Sequence, residues 1–294
     1  MSPVSSNHIV KIDFFWKEEA ENRVLVYSIF YSRVTFYRYI SIHQRMWSYQ
    51  FKNPTSFIKT IELLKDLLDT INFEFMSDGI HFEMMDNAHV SLANCKFHSG
   101  SFTNIVYGGS LQKGINLKYL YMCLKCVKMT DVVTIMLYSG QEKIQIDIQK
   151  ESGEFYSFSL PSIVMEIEHL SIPEDVKYDT RFLMLSNDFT ETIKNISLFG
   201  SDIEIESIGK LITMRGKSTE GELSITMGFP YESIDVLKNS KVSYSNRYLQ
   251  IFSKGNYISD KVSVSFSEEE PLCISYEVED KSSVKFYLAP KYSD

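Results

Sequence analysis

Alternation of apolar and polar residues dominates the chain. Val132–Leu137, Lys143–Ile148, Ile203–Ile208, Glu222–Met227, Lys261–Phe266, Leu272–Val278 and the stretch from Glu74 to Glu83 are rich in β-branched and aromatic residues and read as strands. Only four stretches carry helical spacing. The first, Pro54–Ile71, opens on Pro54 and Thr55 and puts Phe57, Ile61, Leu64 and Leu68 on one face; the others are Leu117–Lys128, Asp188–Phe199 and Asn246–Gly255.

Two helices among many strands, twice over, predicts a duplication. Phe57, Thr60, Ile61, Leu64 and Leu67 match Phe189, Thr192, Ile193, Ile196 and Phe199 at a constant offset of 132. Leu120, Lys125, Asp131, Val133 and Ile135 match Leu249, Lys254, Asp260, Val262 and Val264 at an offset of 129. The expected class is α+β, with one unit over 46–161, a connector over 162–178, a second unit over 179–294 and an extension over 1–45.

Charge changes the picture once it is placed on the helices. The chain carries 30 Lys and Arg against 38 Asp and Glu, a net −8, which on its own argues against nucleic acid. Affinity for phosphates depends on where the cations sit. Lys118 and Lys125 are seven apart, as are Arg247 and Lys254, so each pair spans two turns, about 10.5 Å, of one helix face. Lys59 and Lys194 also lie off the apolar stripes of their helices. Glu62 and Asp66 dilute the first face, and ordinary solvated surfaces remain the competing reading.

Catalytic and metal motifs are missing from the linear sequence. There is no phosphate-cradling Gly-x-x-x-x-Gly-Lys-Ser/Thr loop and no Gly-x-Ser-x-Gly elbow. Cys123 and Cys126 fall inside a helix without a second pair, so they read as packing residues, and the six histidines are scattered. Four cysteines in a chain of 294 residues suit reduced thiols, no apolar run reaches the ~18 residues of a membrane span, and the N-terminus has no secretory pattern. The expectation is an intracellular protein, not an enzyme, with no cofactor and no metal.

Three stretches resemble the eukaryotic DNA sliding clamps of the proliferating cell nuclear antigen family: Met85-Asp86-Asn87-Ala88-His89-Val90-Ser91-Leu92, Leu170-Ser171-Ile172-Pro173-Glu174 with Tyr178 beyond it, and Phe286-Tyr287-Leu288-Ala289-Pro290-Lys291. Gly114–Leu117 and Arg247–Leu249 keep the family spacing between them. The resemblance implies the DNA clamp fold: a homotrimeric ring, helices inside and antiparallel sheets outside, that encircles double-stranded DNA without sequence preference. It implies a nuclear processivity factor for DNA polymerase, opened by a clamp loader and recruiting flap nuclease, ligase and repair proteins through short hydrophobic-aromatic motifs.

Residue by residue, the resemblance assigns Lys59, Lys65, Lys125, Lys194, Arg247 and Lys254 to the DNA-facing surface, with Lys118 compensating where Met122 and Ile58 replace family lysines. It assigns Met85, His89, Val90, Leu170, Ile172, Tyr178, Pro271, Tyr287, Ala289 and Pro290 to the client-peptide groove. Subunits would join through Glu154–Leu160 of one copy and Glu222–Met227 of the next, with Phe155, Tyr156, Phe158, Leu223 and Ile225 supplying apolar area. Lys210 is the candidate for an outer-face modification. Met46 stands where the family begins, so 1–45 is expected to be a poorly packed extension or a mis-assigned start. The alternatives are a subunit of a heterotrimeric checkpoint clamp and an unrecognised antiparallel-sheet enzyme.

Overall fold

The computed structural model describes residues 45–165, 176–230, 232–278 and 281–291, and the backbone of 11–19, 22–31 and 34–41. Strands β1 (Lys11–Glu19), β2 (Asn22–Tyr31) and β3 (Val34–Ser41) pair in that order as a separate antiparallel sheet. The expected loose packing of this extension concerns side chains outside the described residues.

The first unit runs β4 (Met46–Phe51), α1 (Thr55–Leu64), β5 (Thr70–Met76), β6 (Gly79–Met85), β7 (Ser91–His98), β8 (Phe102–Val106), β9 (Leu111–Asn116), α2 (Leu117–Leu124), β10 (Val132–Tyr138), β11 (Lys143–Gln149) and β12 (Phe155–Pro161). The second runs β13 (Thr180–Leu185), α3 (Ser186–Ile196), β14 (Asp202–Ile208), β15 (Leu211–Lys217), β16 (Glu222–Gly228), β17 (Ile234–Val236), β18 (Lys241–Ser245), α4 (Asn246–Phe252), β19 (Lys261–Phe266), β20 (Leu272–Glu277) and β21 (Ser283–Leu288). The order is the same in both, and the offset of 132 carries β5 and β6 onto β14 and β15 residue for residue. The expected duplication is therefore the architecture.

All strand pairings among the described residues are antiparallel. The sheets are β12-β11-β10-β4-β8, β17-β13-β19-β20-β21-β7-β6-β5-β9 and β16-β15-β14-β18. The nine-stranded sheet crosses the boundary between units, because β21 pairs with β7 from Ser283↔Lys96 to Leu288↔Ser91. β12 and β16 each end their sheets with one side unpaired.

The helices form because one face of each is apolar and their first turns are satisfied. The Asn53 side-chain oxygen accepts from the Thr55 amide at 3.0 Å, and Asn116 caps α2 by accepting from Tyr119 at 3.1 Å. α1 buries Phe57, Thr60, Ile61, Leu63 and Leu64. The Phe57 ring stands 4.6 Å from Phe51 and 5.3 Å from Phe97, centroid to centroid. In the second unit Phe252 of α4 stacks on Phe286 of β21 at 4.6 Å. Burying each such ring contributes about 2 kcal/mol.

Two predicted helices end early. α1 stops at Leu64, where the Leu67 and Leu68 amides close a tight turn on the Leu64 carbonyl, and the apolar residues Ile71, Phe73 and Phe75 then follow strand spacing into the same core. α2 stops at Leu124, because Asp131 captures the Lys128 amide at 2.7 Å and pairs with Lys150 at 2.8 Å, turning the chain into β10. α3 and α4 continue as 3-10 turns, Ser197–Phe199 and Ser253–Tyr257.

Candidate functional site

α1 packs beside α2, α3 beside α4, and the 3-10 turn after α4 reaches α1, so the helices form one layer over the sheets. Lys118, Lys125, Lys194, Arg247 and Lys254 are exposed on this layer, while Lys59 and Lys65 are half-buried. α2 and α4 contain no acidic residue. The acidic residues Glu62 and Asp66 lie on α1 and the turn that follows it, and their effect is direct. Lys59 pairs with Glu62 at 2.8 Å, Lys65 with Asp66 at 2.9 Å, and Lys254 with the same Asp66 at 2.7 Å across the unit boundary. Lys59 and Lys65 also lie over the rings of Tyr257 and Tyr121.

These contacts set the carboxylates. Hydrogen bonds from Lys59 and then Tyr121 hold Glu62 below its ordinary value. Burial pushes Asp66 up, but the ammonium groups of Lys254 and Lys65 outweigh it and leave it lowered. Among the described residues, Lys118, Lys125, Lys194 and Arg247 form no ion pair with a carboxylate. Met122, where the resemblance expects lysine, is 51% exposed and leaves an apolar gap in the basic surface. Ile58 instead packs against the core.

Some of the residues expected to form the client groove meet at the seam between units. The buried Asp86 carboxylate accepts from the amides of Val90 at 2.9 Å, Ser91 at 2.7 Å and Ala88 at 3.2 Å, folding Ala88–Val90 into a tight loop with His89 at φ 54°. It also accepts from the Tyr248 hydroxyl of α4 at 2.6 Å. The C-terminal tail lies against this loop, with the Ala289 amide donating to the Val90 carbonyl at 2.9 Å. Met85, Val90, Tyr178, Pro271, Tyr287 and Pro290 are half-buried, and His89 and Ala289 are exposed. Leu170 and Ile172 lie outside the described residues.

A cavity of about 580 Å³ opens on the central sheet, lined among others by Tyr178, Arg181, Cys273, Lys285 and Tyr287. Burial pushes the Cys273 thiol above its ordinary value. Arg181, Cys273 and Lys285 escape the sequence reading because each is one outward position of an alternating strand.

The unpaired edges are apolar where expected. Phe155 and Phe158 of β12 and Leu223 and Ile225 of β16 are half-buried, Tyr156 is exposed, and the Tyr156 and Phe158 rings meet edge to face at 6.5 Å. Lys210 sits in the β14–β15 turn, its carbonyl accepting from the Phe229 amide. Cys123 is buried and Cys126 exposed, the Cys126 thiol donating to the Cys123 carbonyl at 3.2 Å. The scattered histidines are not all apart: His81 and His98 stand side by side next to Asp78.

Comparison with known proteins agrees with this geometry. The family model described as "Proliferating cell nuclear antigen, N-terminal domain" matches residues 46–169, and the corresponding C-terminal domain model matches 171–291. Proliferating cell nuclear antigen 2 of Drosophila melanogaster is 30% identical over 241 residues, covering 80% of this chain and 94% of its own length. The crystal structure of proliferating cellular nuclear antigen from Entamoeba histolytica superposes with a TM-score of 0.78 at 26% identity, covering 84% of this chain and 99% of that one. Neither the checkpoint-clamp nor the enzyme alternative gains support. With both halves matched in order over the duplicated fold, the chain belongs to the proliferating cell nuclear antigen family and is a DNA sliding clamp.

Proposed function

We propose that three copies of this chain close into a ring around duplex DNA through β12 of one copy and β16 of the next. The observation that carries this reading is the junction already present within the chain. β21 and β7 pair across the unit boundary, and their counterparts in the repeat, β12 and β16, each keep one side unpaired. Carrying the β21–β7 register through the repeat sets Phe158 opposite Leu223 and Tyr156 opposite Ile225. Such apolar cross-strand pairs contribute about 0.2–1 kcal/mol each and cover two exposed edges.

In that ring the helix layer lines the hole. Lys118, Lys125, Lys194 and Arg247 meet phosphates directly, and Lys59, Lys65 and Lys254 do so by exchanging Glu62 or Asp66 for a phosphate. Exposed ion pairs are weak enough to allow the exchange. Contact of this kind is loose, salt-sensitive and blind to sequence, so the ring slides, and retention comes from encirclement. The groove around Met85, His89, Val90, Tyr178, Pro271, Tyr287, Ala289 and Pro290, with Leu170 and Ile172, takes short hydrophobic-aromatic motifs of polymerase, clamp loader, nuclease, ligase and repair proteins in the nucleus. The protein acts as a scaffold and not as an enzyme.

Light scattering on the purified chain tests the ring. A mass three times the 34.1 kDa of one chain is expected over a range of concentrations. A persistent monomer overturns self-encirclement.

A further inference from the structure

On the face of the central sheet away from the helices, a short turn brings together two histidines and an aspartate. Ser77 and Asp78 link β5 to β6, and Gly79 pairs directly with His98 of β7. The close approach at this point requires glycine: a Cβ on Gly79 would lie 1.9 Å from the Phe97 carbonyl oxygen, and its φ is +143°. That approach sets Asp78 beside the end of β7. His81 and His98 then project from neighbouring strands on the outward side, because their sequence neighbours Ile80, Phe82 and Phe97 point into the core.

The ligand atoms converge. Asp78 Oδ2 lies 3.8 Å from His81 Nε2 and 3.8 Å from His98 Nδ1, and all three atoms fall within 4.8 Å of one another. The imidazole rings sit edge to face with centroids 5.3 Å apart. His81 Nε2 is buried and has no hydrogen-bond partner among the described residues. The His98 backbone is held in place by its amide, which donates to the Ser282 hydroxyl at 3.0 Å. The surrounding charge is balanced, since Glu74 and Lys96 lie directly across from His81 on the two flanking strands.

We infer that Asp78, His81 and His98 form a binding site for a divalent transition metal, zinc above all, with a fourth position open to water. Two imidazole nitrogens and one carboxylate oxygen suit zinc, cobalt or nickel and do not suit magnesium or calcium, which take oxygen ligands. Donors around a tetrahedral zinc stand about 3.4 Å apart, so each carboxylate-to-imidazole distance of 3.8 Å has to close by about 0.4 Å and the imidazole-to-imidazole distance, within 4.8 Å, by at most about 1.4 Å. Asp78 is 52% exposed on its side chain and lies in a turn, which leaves it free to make that adjustment. A bound ion ties the β5–β6 turn to the end of β7 and satisfies the buried His81 nitrogen.

The test is calorimetric titration of the full chain with zinc chloride, paired with cobalt substitution read by visible absorption. One saturable site per chain and the intense bands of four-coordinate cobalt are expected. His98→Gln and Asp78→Asn should each weaken zinc binding about tenfold or more and remove the cobalt bands, with circular dichroism unchanged. His81→Gln is the stronger test if that variant folds; the two more exposed positions carry the test if it does not. Zinc should raise Tm in the parent chain and not in the variants. Binding of equal strength in parent and variants would place the metal on other groups, such as Cys126 or His89, and overturn the inference, as would no saturable site at all.

Discussion

The Tyr248 hydroxyl donates to the Asp86 carboxylate at 2.6 Å, although 162 positions separate the two residues in the chain. Tyr248 belongs to the second unit and Asp86 to the loop of the first against which the C-terminal tail lies. One hydrogen bond therefore joins the helix layer, that loop and the seam between units.

Tyr248→Phe should lower stability by roughly 1.5–3 kcal/mol, as expected for loss of a hydrogen bond to a buried carboxylate. Burial pushes Asp86 up, but Tyr248 and the amides of Ser91, Val90 and Ala88 outweigh it and hold the carboxyl below its ordinary value. Its contribution is thus complete above the ordinary aspartate range and is lost as pH falls through the lowered folded value. Burial, followed by the Asp86 hydrogen bond, raises the Tyr248 phenol to about 12, so that contribution is complete below its ordinary value of 10.0 and is lost as pH rises through about 12. Denaturant melts of parent and variant from neutral to acid pH check this. Curves that stay parallel down to about pH 3 would mean that the bond contributes nothing to acid stability.

Asp66→Asn should strengthen DNA contact, because it frees Lys65 and Lys254 together. Lys125→Ala and Arg247→Ala should act the other way, each reducing the salt slope of binding by about 0.9 while leaving the assembly intact. Titration of fluorescent duplex over several salt concentrations reads both effects. If neutralising Asp66 leaves the affinity unmoved, its lysines do not face the nucleic acid.

Phe158→Asp should convert the assembly to monomers by placing a charge in an apolar strand pair, whereas Leu198→Asp, at an exposed apolar position of the turn after α3, should leave the mass unchanged. Sedimentation or light scattering distinguishes them. A Phe158 variant that keeps the parent mass would rule out β12 as the joining edge.

Lys150→Met should destabilise the first unit by about 3 kcal/mol, since it strands the Asp131 carboxylate, whose side chain is 1% exposed. The double change with Asp131→Leu should recover much of the loss. Urea unfolding of the three variants measures the coupling, and additive losses would show that the pair is not a unit.

The duplication was legible because both copies keep their apolar register through a helix and the strand after it. Helix ends were not. Leu67, Leu68 and Ile71 satisfy helical spacing on paper, yet the chain reverses after Leu64 and β5 uses Ile71 with strand spacing to fill the same core. Lys118, Lys125, Arg247 and Lys254 could be read from seven-residue spacing, Lys59 and Lys194 from their places off the apolar stripes, and the diluting effect of Glu62 and Asp66 with them, whereas Lys65 came through resemblance. Groove and edge residues came through resemblance alone, since their grouping depends on which strands become neighbours. For the same reason, nothing in the spacing of Asp78, His81 and His98 announces a cluster: the strand register creates it.

The central sheet carries a mechanical consequence. In a closed trimer every second seam of the ring would be backed by continuous chain, and the seams between would be held by side chains and strand pairing alone. Opening would follow the seams that no peptide bond bridges. A loader would then need only to peel β12 away from β16 at a single seam, and the fold inside each subunit would stay whole.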